Sequence, residues 1–453
     1  MAVIASQQEI IAQQQKRITA LEARVKELEA RLNRDSSNSS KPPSSDPPWK
    51  ARTKKPGGGR KPGGQVGHKG NQRKLVEPDE TVVVKPPACG HCGEVLQGDD
   101  AEPLRHQVAE IPEVRAHVTE YQLHTLGCRC GKLTAAHLPD GVPRGAFGPR
   151  LQAILAVCAG AYRLSKRNIQ QLARDFFEVE ISLGGISELE EVTSEALAAP
   201  VEEVAAHVTR QPFANADETG WYLRSRRCWL WVMATASAAY FMIRPKRNSA
   251  VAKELLRNFA GVLGSDDFGG YNFIPNHLRQ LCWAHVYRHF KSFFDYGARE
   301  HLLGAKLVGA SRKLFRLWHC VRDGTLTREQ FRQHIAPVRA AVPRLLNEGR
   351  YMPSRKVAGS CRWLLRHEAC LWTFVDLEGI EPTNNHAERV LRPAVLWRKG
   401  CFGTNSERGS VFVERMLTVV STLRLQKRNV LDYLTAACRA SLLRQPAPAL
   451  LVA

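Results

Sequence analysis

Apolar residues recur every seven positions at the start of the chain. Ile11, Ile18, Val25 and Leu32 form one series, and Leu21 and Leu28 fill a second apolar position between them. On a helix over residues 8–33 this spacing makes one stripe, flanked by Glu22, Lys26, Glu27 and Arg31. It predicts a short parallel coiled coil and hence self-association. The alternative is a lone amphipathic helix docked on its own chain; Gln14 interrupts the first heptad.

The periodicity ends at residue 34. Residues 34–74 run through the Ser/Pro-rich DSSNSSKPPSSDPP and the basic, Gly-rich ARTKKPGGGRKPGGQVGHKGNQRK. So little apolar surface cannot offset the entropy of ordering, which predicts a linker that is disordered when free. Residues 75–140 read as short β segments around two cysteine pairs, a zinc-ribbon-like domain. Over 147–207 the pattern turns helical: the apolar run Leu151–Tyr162, then RLSKRNIQQLARDF, a Gly184–Gly185 break and ISELEEVTSEAL. Short helices joined by a tight turn, with Lys166, Arg167 and Asn168 near it, fit a helix-turn-helix-like DNA-binding segment; an ordinary helical hairpin fits the same pattern.

Strand patterns begin at Pro212. FANADETG is apolar and ends in acids, and RRCWLWVMAT with AAYFMI makes an apolar hairpin. NSAVAKELLRNF is an amphipathic helix, GVLGSDDFGGY a short strand running into acids at a Gly-rich turn, and RQLCWAH follows. Three strands, a helix, a fourth strand and a further strand is the order of the RNase H-like fold. After about Leu278 helical patterns dominate. The predicted class is multidomain α/β: an RNase H-like catalytic core in two parts, 212–295 and 379–444, around a helical insertion at 296–378.

Length and charge extend this picture. A chain of 453 residues exceeds one hydrophobic core and predicts two to four domains. A net charge of +21 makes a field that attracts polyanions, nucleic acid foremost. Between Lys41 and Lys74 lie ten Lys/Arg, among them Lys54, Lys55, Arg60 and Lys61, against one acid, Asp46. That stretch suits counterion release from DNA phosphates; a solubilising linker is the other reading. The amino terminus has no signal-peptide pattern. The longest apolar run, Cys228–Ile243, falls short of a membrane span and contains Thr235 and Ser237. A cytoplasmic, nucleoid-associated protein is expected.

Eight of the twelve cysteines (Cys158, Cys228, Cys282, Cys320, Cys361, Cys370, Cys401 and Cys438) stand singly in apolar segments, the pattern of reduced, buried thiols. The others form Cys89-Gly-His-Cys92 and Cys128-Arg-Cys130. Two pairs can supply the four thiolates of a structural zinc, and Gly90, Gly93, Gly127 and Gly131 allow tight knuckles. The second pair has one intervening residue, so a ribbon that keeps its fold without metal is the alternative.

Three acids carry the candidate chemistry. Asp217 lies on the first strand, Asp266 ends the fourth, and Glu388 falls just inside a helix announced by Pro382, Thr383, Asn384 and Asn385, with Asn385 as its N-cap. Glu218 and Asp267 are their competitors, on the opposite strand face. Phosphodiester displacement is charge-rich and in line, and two Mg²⁺ (or Mn²⁺) about 3.5–4 Å apart stabilise its attacking and leaving oxygens. Asp217 would bridge the ions; Asp266 and Glu388 would each complete one.

These motifs resemble the insertion sequence 66 family of bacterial transposases along nearly the whole chain. Ser37–Asp46 matches its Ser-Asn-Ser-Ser-x-Pro-Pro-Ser-Ser-Asp motif, and Gly63–Gly70 its Gly-Gly-Gln-x-Gly-His-x-Gly motif. ADETGW (216–221), SDDFGGY (265–271), CWAHVYRHF (282–290) and NNHAERVLRP (384–393) look like its catalytic blocks. Two departures stand out: Asp267 replaces the family's usual Gly, and the second cysteine pair is Cys-x-Cys where Cys-x-x-Cys is usual. The resemblance implies a DDE-type transposase with Asp217, Asp266 and Glu388 as its triad, cleaving element ends and joining the 3′-OH to target DNA. His285 of Cys282-x-x-His285 would steady the scissile phosphate or a metal-bound water; a structural histidine is the other reading. Arg389, Arg392, Arg398 and Lys399 become candidate phosphate contacts. The implied partners are DNA, a second copy through the coiled coil, and co-encoded accessory proteins. A non-catalytic zinc-containing DNA-binding protein and a nuclease without strand transfer are the rival functions.

Overall fold

The computed structural model describes residues 2–32, 35 and 73–451. Lys54, Lys55, Arg60 and Lys61, and most of the basic stretch, lie outside the described residues. The chain divides into two units, residues 49–117 and the remainder.

Helix α1 (Ala2–Leu32) carries the heptad. Its six stripe residues are all exposed, from 43% for Leu28 to 84% for Leu32, so the stripe is not buried on the chain's own body.

In the unit 49–117 the expected β segments are largely absent. Among its described residues the single bridge is Ala88↔Val95, around the Cys89 turn. Val82, Val83 and Val84 are more than 70% exposed, which leaves this β-branched run without a neighbour to pack on. The side chain of Gln107 bonds both backbone groups of Val76, accepting at 3.0 Å and donating at 2.7 Å.

The larger unit continues with a hairpin of β1 (Thr125–Gly127) and β2 (Leu133–Ala135). Helices α2 (Pro149–Gly160), α3 (Lys166–Phe177), α4 (Leu183–Ala196) and α5 (Ala198–Val208) follow. Ser165 caps α3 by accepting from the Asn168 amide, and Ser182 caps α4 through Gly185. Glu178, at a φ of 54°, ends α3 in the left-handed region. Ile169, Ala173, Ile186 and Val204 bury into the same apolar cluster as the sheet described next.

That sheet is mixed. Its strands are β3 (Phe213–Leu223), β4 (Arg226–Ala234), β5 (Ala239–Arg244), β6 (Val262–Ser265) and β7 (Arg279–Leu281), in the order β5-β4-β3-β6-β7. Strands β3, β4 and β5 are antiparallel neighbours joined by short turns; β3, β6 and β7 run parallel. Helix α6 (Ser249–Leu256) makes the crossover between β5 and β6.

Helices α7 (Trp283–Ser292), α8 (Ala298–Arg322), α9 (Arg328–Gly349), α10 (Arg355–Arg366) and α11 (Thr373–Asp376) build a second core on Trp283, Trp318, Phe331 and Phe374. The chain then returns to the sheet through α12 (Asn385–Cys401), α13 (Glu407–Leu425) and α14 (Val430–Leu442). Helix α13 covers the β5 edge by direct bonding. Glu414, Thr418 and Thr422 accept from the amides of Ile243, Phe241 and Ala239 at 2.5, 3.1 and 3.1 Å. Four residues of helix rise about 6 Å and two of strand about 6.6 Å, so the two ladders stay in step. An edge that would otherwise offer free donors is thereby closed.

Of the eight single cysteines, six are buried; Cys320 is half-buried and Cys401 exposed, since each sits at a helix end rather than in the core. No described helix is long and apolar enough to cross a membrane.

Candidate active site

Asn215 on β3 pairs with Gly264 on the parallel β6. Asp217 and Asp266 each lie two residues further on, so strand alternation turns both carboxylates to one face, Asp266 just past the end of β6 and Asp217 within β3 rather than at a strand end as expected. The turn after β6 is held by Arg279, which is 1% exposed. Its guanidinium donates to the Asp266 carbonyl at 2.8 Å, to Ser265 Oγ at 3.0 Å and to Asn272 Oδ1 at 3.0 Å. The Asp266 carboxylate accepts the Phe268 amide at 3.0 Å.

The third acid reaches this end of the sheet through Asn384. Helix α12 begins at Asn385, and its N-cap is Asn384, one residue earlier than the expected Asn385. Asn384 does not bond the helix with its side chain. It donates to the Ala216 carbonyl and accepts from Asn215 Nδ2, both at 2.8 Å. A buried amide thus ties the start of α12 to the strand that carries Asp217, and Glu388 follows in the first turn.

The electrostatics follow from crowding. Burial, then the charges of Glu218, Asp266 and Glu388, hold Asp217 well above the ordinary carboxylate range. Burial, with Glu218 and Asp267, pushes Asp266 up to about 7. Carboxylate oxygens are the donors a hard divalent cation takes, and a cation's charge would relieve such repulsion.

The two competing acids have other partners. Glu218, on the strand face opposite Asp217 as expected, is buried and has its own partners: it accepts from Arg247 Nε at 2.7 Å and from the Tyr271 hydroxyl at 3.0 Å. Burial raises it, and those two contacts oppose the rise. Asp267 lies 2.7 Å from His289 Nε2. Burial alone would raise Asp267, but the hydrogen bond and charge of His289 hold it well below the usual carboxylate range. Sequence reasoning missed Arg247 and Arg279, and gave Tyr271, His289 and Asn384 no role of their own although they fall within the catalytic blocks. No local pattern announces their contacts, since their partners lie 7 to 169 residues away.

Cys282 closes β7 and caps α7, and its sulfur accepts the Asn384 amide at 3.2 Å. His285 stands one turn into α7, with Nδ1 3.9 Å from Glu388 Oε1. Burial, aided by Arg288, lowers His285 to about 3, so its ring is neutral.

The cysteine pairs each sit on a tight turn. The Cys89 carbonyl accepts the Gly93 amide at 2.9 Å, and the Cys128 carbonyl accepts the Gly131 amide at 2.9 Å, with both glycines at positive φ. Amides of Cys92 and His91 pull the Cys89 thiol below its ordinary value, and that of Cys130 does the same for Cys128.

Of the basic candidates, Arg167, Arg389, Arg392 and Lys399 are exposed. Lys166 pairs with Glu190 at 2.9 Å and donates to Ser187 at 2.6 Å. Arg398 is turned inward, donating to Thr219 Oγ1 at 3.0 Å and to the Gly220 carbonyl.

Residues 144–411, more than half of the chain, match the family described as Transposase IS66 family. Residues 4–74 match a family of unknown function, DUF6444. An uncharacterized protein of Sinorhizobium fredii, y4hP, is 25% identical over 385 residues, covering 76% of this chain and 69% of the relative. A second from that organism, y4qI, is 24% identical over 235 residues, covering 47% of this chain and 43% of the relative.

Proposed function

The chain belongs to the IS66 family of transposases, and from that premise we propose that it cleaves the ends of an insertion sequence and joins the freed 3′-OH to target DNA. The catalytic domain is RNase H-like, a reading supported by the strand order β5-β4-β3-β6-β7 and its single antiparallel-to-parallel switch at β3.

The observation that carries the proposal is that Asp266, just past the end of β6, and Glu388, in the first turn of α12, lie close enough to Asp217 within β3 for their charges to hold it up. These three residues would hold two divalent cations, Mg²⁺ or Mn²⁺. When bound, the cations supply charge to the attacking and leaving oxygens of a phosphodiester. Arg279 fixes the backbone of Asp266, and Asn384 fixes the start of the helix that presents Glu388. His285, neutral and beside Glu388, donates a hydrogen bond to the scissile phosphate. Arg389, Arg392 and Lys399 contact flanking phosphates.

Outside the catalytic core (212–295 and 379–444), residues 34–74 and 147–207 bind DNA. Cys89 with Cys92, and Cys128 with Cys130, each offer a thiolate pair for Zn²⁺, and α1 pairs two copies so that two element ends meet. The work is done on chromosomal DNA in the bacterial cytoplasm. Purified full-length protein, given Mg²⁺ and a duplex carrying the element terminus, should nick at the 3′ end and form joined products with a second duplex. Nicking without joined products would make it a nuclease, and binding without nicking a DNA-binding protein only.

A further inference from the structure

We propose that Cys282, His285 and Glu388 form a mixed sulfur, nitrogen and oxygen site for a zinc-class divalent cation. The inference rests on the proposed function in taking Glu388 for a ligand; the sulfur and the imidazole go beyond it.

One donor atom from each of the three residues lies within 4.8 Å of the other two. Three elements fix them there. Cys282, 2% exposed, ends β7, and its sulfur is held by the Asn384 amide, four residues before Glu388. His285 is three residues on from Cys282 across the first turn of α7, the spacing that puts two side chains on one helix face. Its Nδ1 faces Glu388, is shut off from solvent and has no hydrogen-bond partner among the described residues. A buried ring nitrogen without a partner is a costly arrangement, which a bound cation removes.

The chemistry of the donors selects the cation. Thiolate and imidazole favour zinc and cobalt, whereas magnesium takes oxygen. Three protein donors with Glu388 open to solvent leave a free coordination position, as catalytic zinc sites do. Binding releases the Cys282 thiol proton to solvent, so affinity rises with pH.

The test is a cobalt(II) titration of metal-free, full-length protein, read by absorption. Thiolate-to-cobalt charge transfer gives a near-ultraviolet band that oxygen ligands do not. In a Cys89→Ser/Cys92→Ser/Cys128→Ser/Cys130→Ser background, which removes the other candidate thiolates, the expected result is one equivalent of cobalt whose band disappears when Cys282→Ser is added. His285→Gln, which keeps the thiol, should weaken cobalt binding roughly tenfold or more. A band unchanged in Cys282→Ser overturns the site. If that variant does not fold, unchanged cobalt affinity in His285→Gln overturns it instead. Magnesium-dependent cleavage by the wild-type protein is measured alongside. An unchanged band in a protein that cleaves sinks this site and leaves the proposed function standing. A Cys282-dependent band in a protein that does not cleave supports the site and counts against the function.

Discussion

Arg247 stands between two acids of the cluster, its Nη2 2.5 Å from Glu218 Oε1 and 3.8 Å from Asp266 Oδ2. The Glu218 side chain is wholly buried and that of Arg247 is a third exposed. Removing the cation therefore strands a buried carboxylate. Arg247→Met should cost about 3 kcal/mol in denaturant unfolding, the low end for breaking a buried pair. Adding Glu218→Gln should return most of that loss. No recovery in the double variant would mean that Arg247 stabilises by packing on Trp229 and Phe268 rather than by charge.

Asp266 predicts a pH-dependent response to metal. Its folded-state pKa of about 7 lies above the unfolded value, so between these values the folded state holds the extra proton. Stability of the metal-free protein accordingly falls as pH rises from about 4 to about 7, then levels off. Cations compete with that proton. Mg²⁺ should raise the melting temperature clearly at pH 8 and little at pH 5, and Asp266→Asn should abolish the difference. An equal rise at both pH values would show that Mg²⁺ binds elsewhere.

The uncovered stripe of α1 predicts oligomerisation confined to that helix. Leu21→Asp with Val25→Asp should lower the molar mass in light scattering toward that of one chain, with unfolding of the catalytic domain unchanged. An unchanged mass would place the subunit contact outside the heptad.

The strand and helix order from Phe213 to Leu281 is legible in the sequence because each element there has its own period and its own turn residues. The α1 heptad is legible for the same reason. What fails is what depends on distant partners. Asn384 reads as the residue before a cap, yet its side chain serves β3, a choice made by Asn215 and Ala216. Glu218 reads as facing away from Asp217, but Arg247 links it back to Asp266. Arg279 reads as a charge in a short strand, and only the carbonyls of the Asp266 turn explain its burial. Arg398 reads as a free cation, whereas Thr219 and the Gly220 carbonyl claim it. The valines at 82–84 show the opposite failure: a strand pattern without a neighbouring strand.

The central claim is that Asp217, Asp266 and Glu388, and not their neighbours, hold the catalytic cations. Asp267 is already satisfied by His289, so Asp267→Asn should cost about 1.5–3 kcal/mol of stability and leave strand cleavage largely intact. The most direct measurement is Mg²⁺-dependent cleavage of element-end DNA by Asp217→Asn, Asp266→Asn, Glu388→Gln and Asp267→Asn, with DNA binding measured on the same preparations. The account predicts that the first three bind DNA and do not cleave, while the fourth does both. A cleaving Asp266→Asn beside an inactive, folded Asp267→Asn would contradict it and move the catalytic register by one residue.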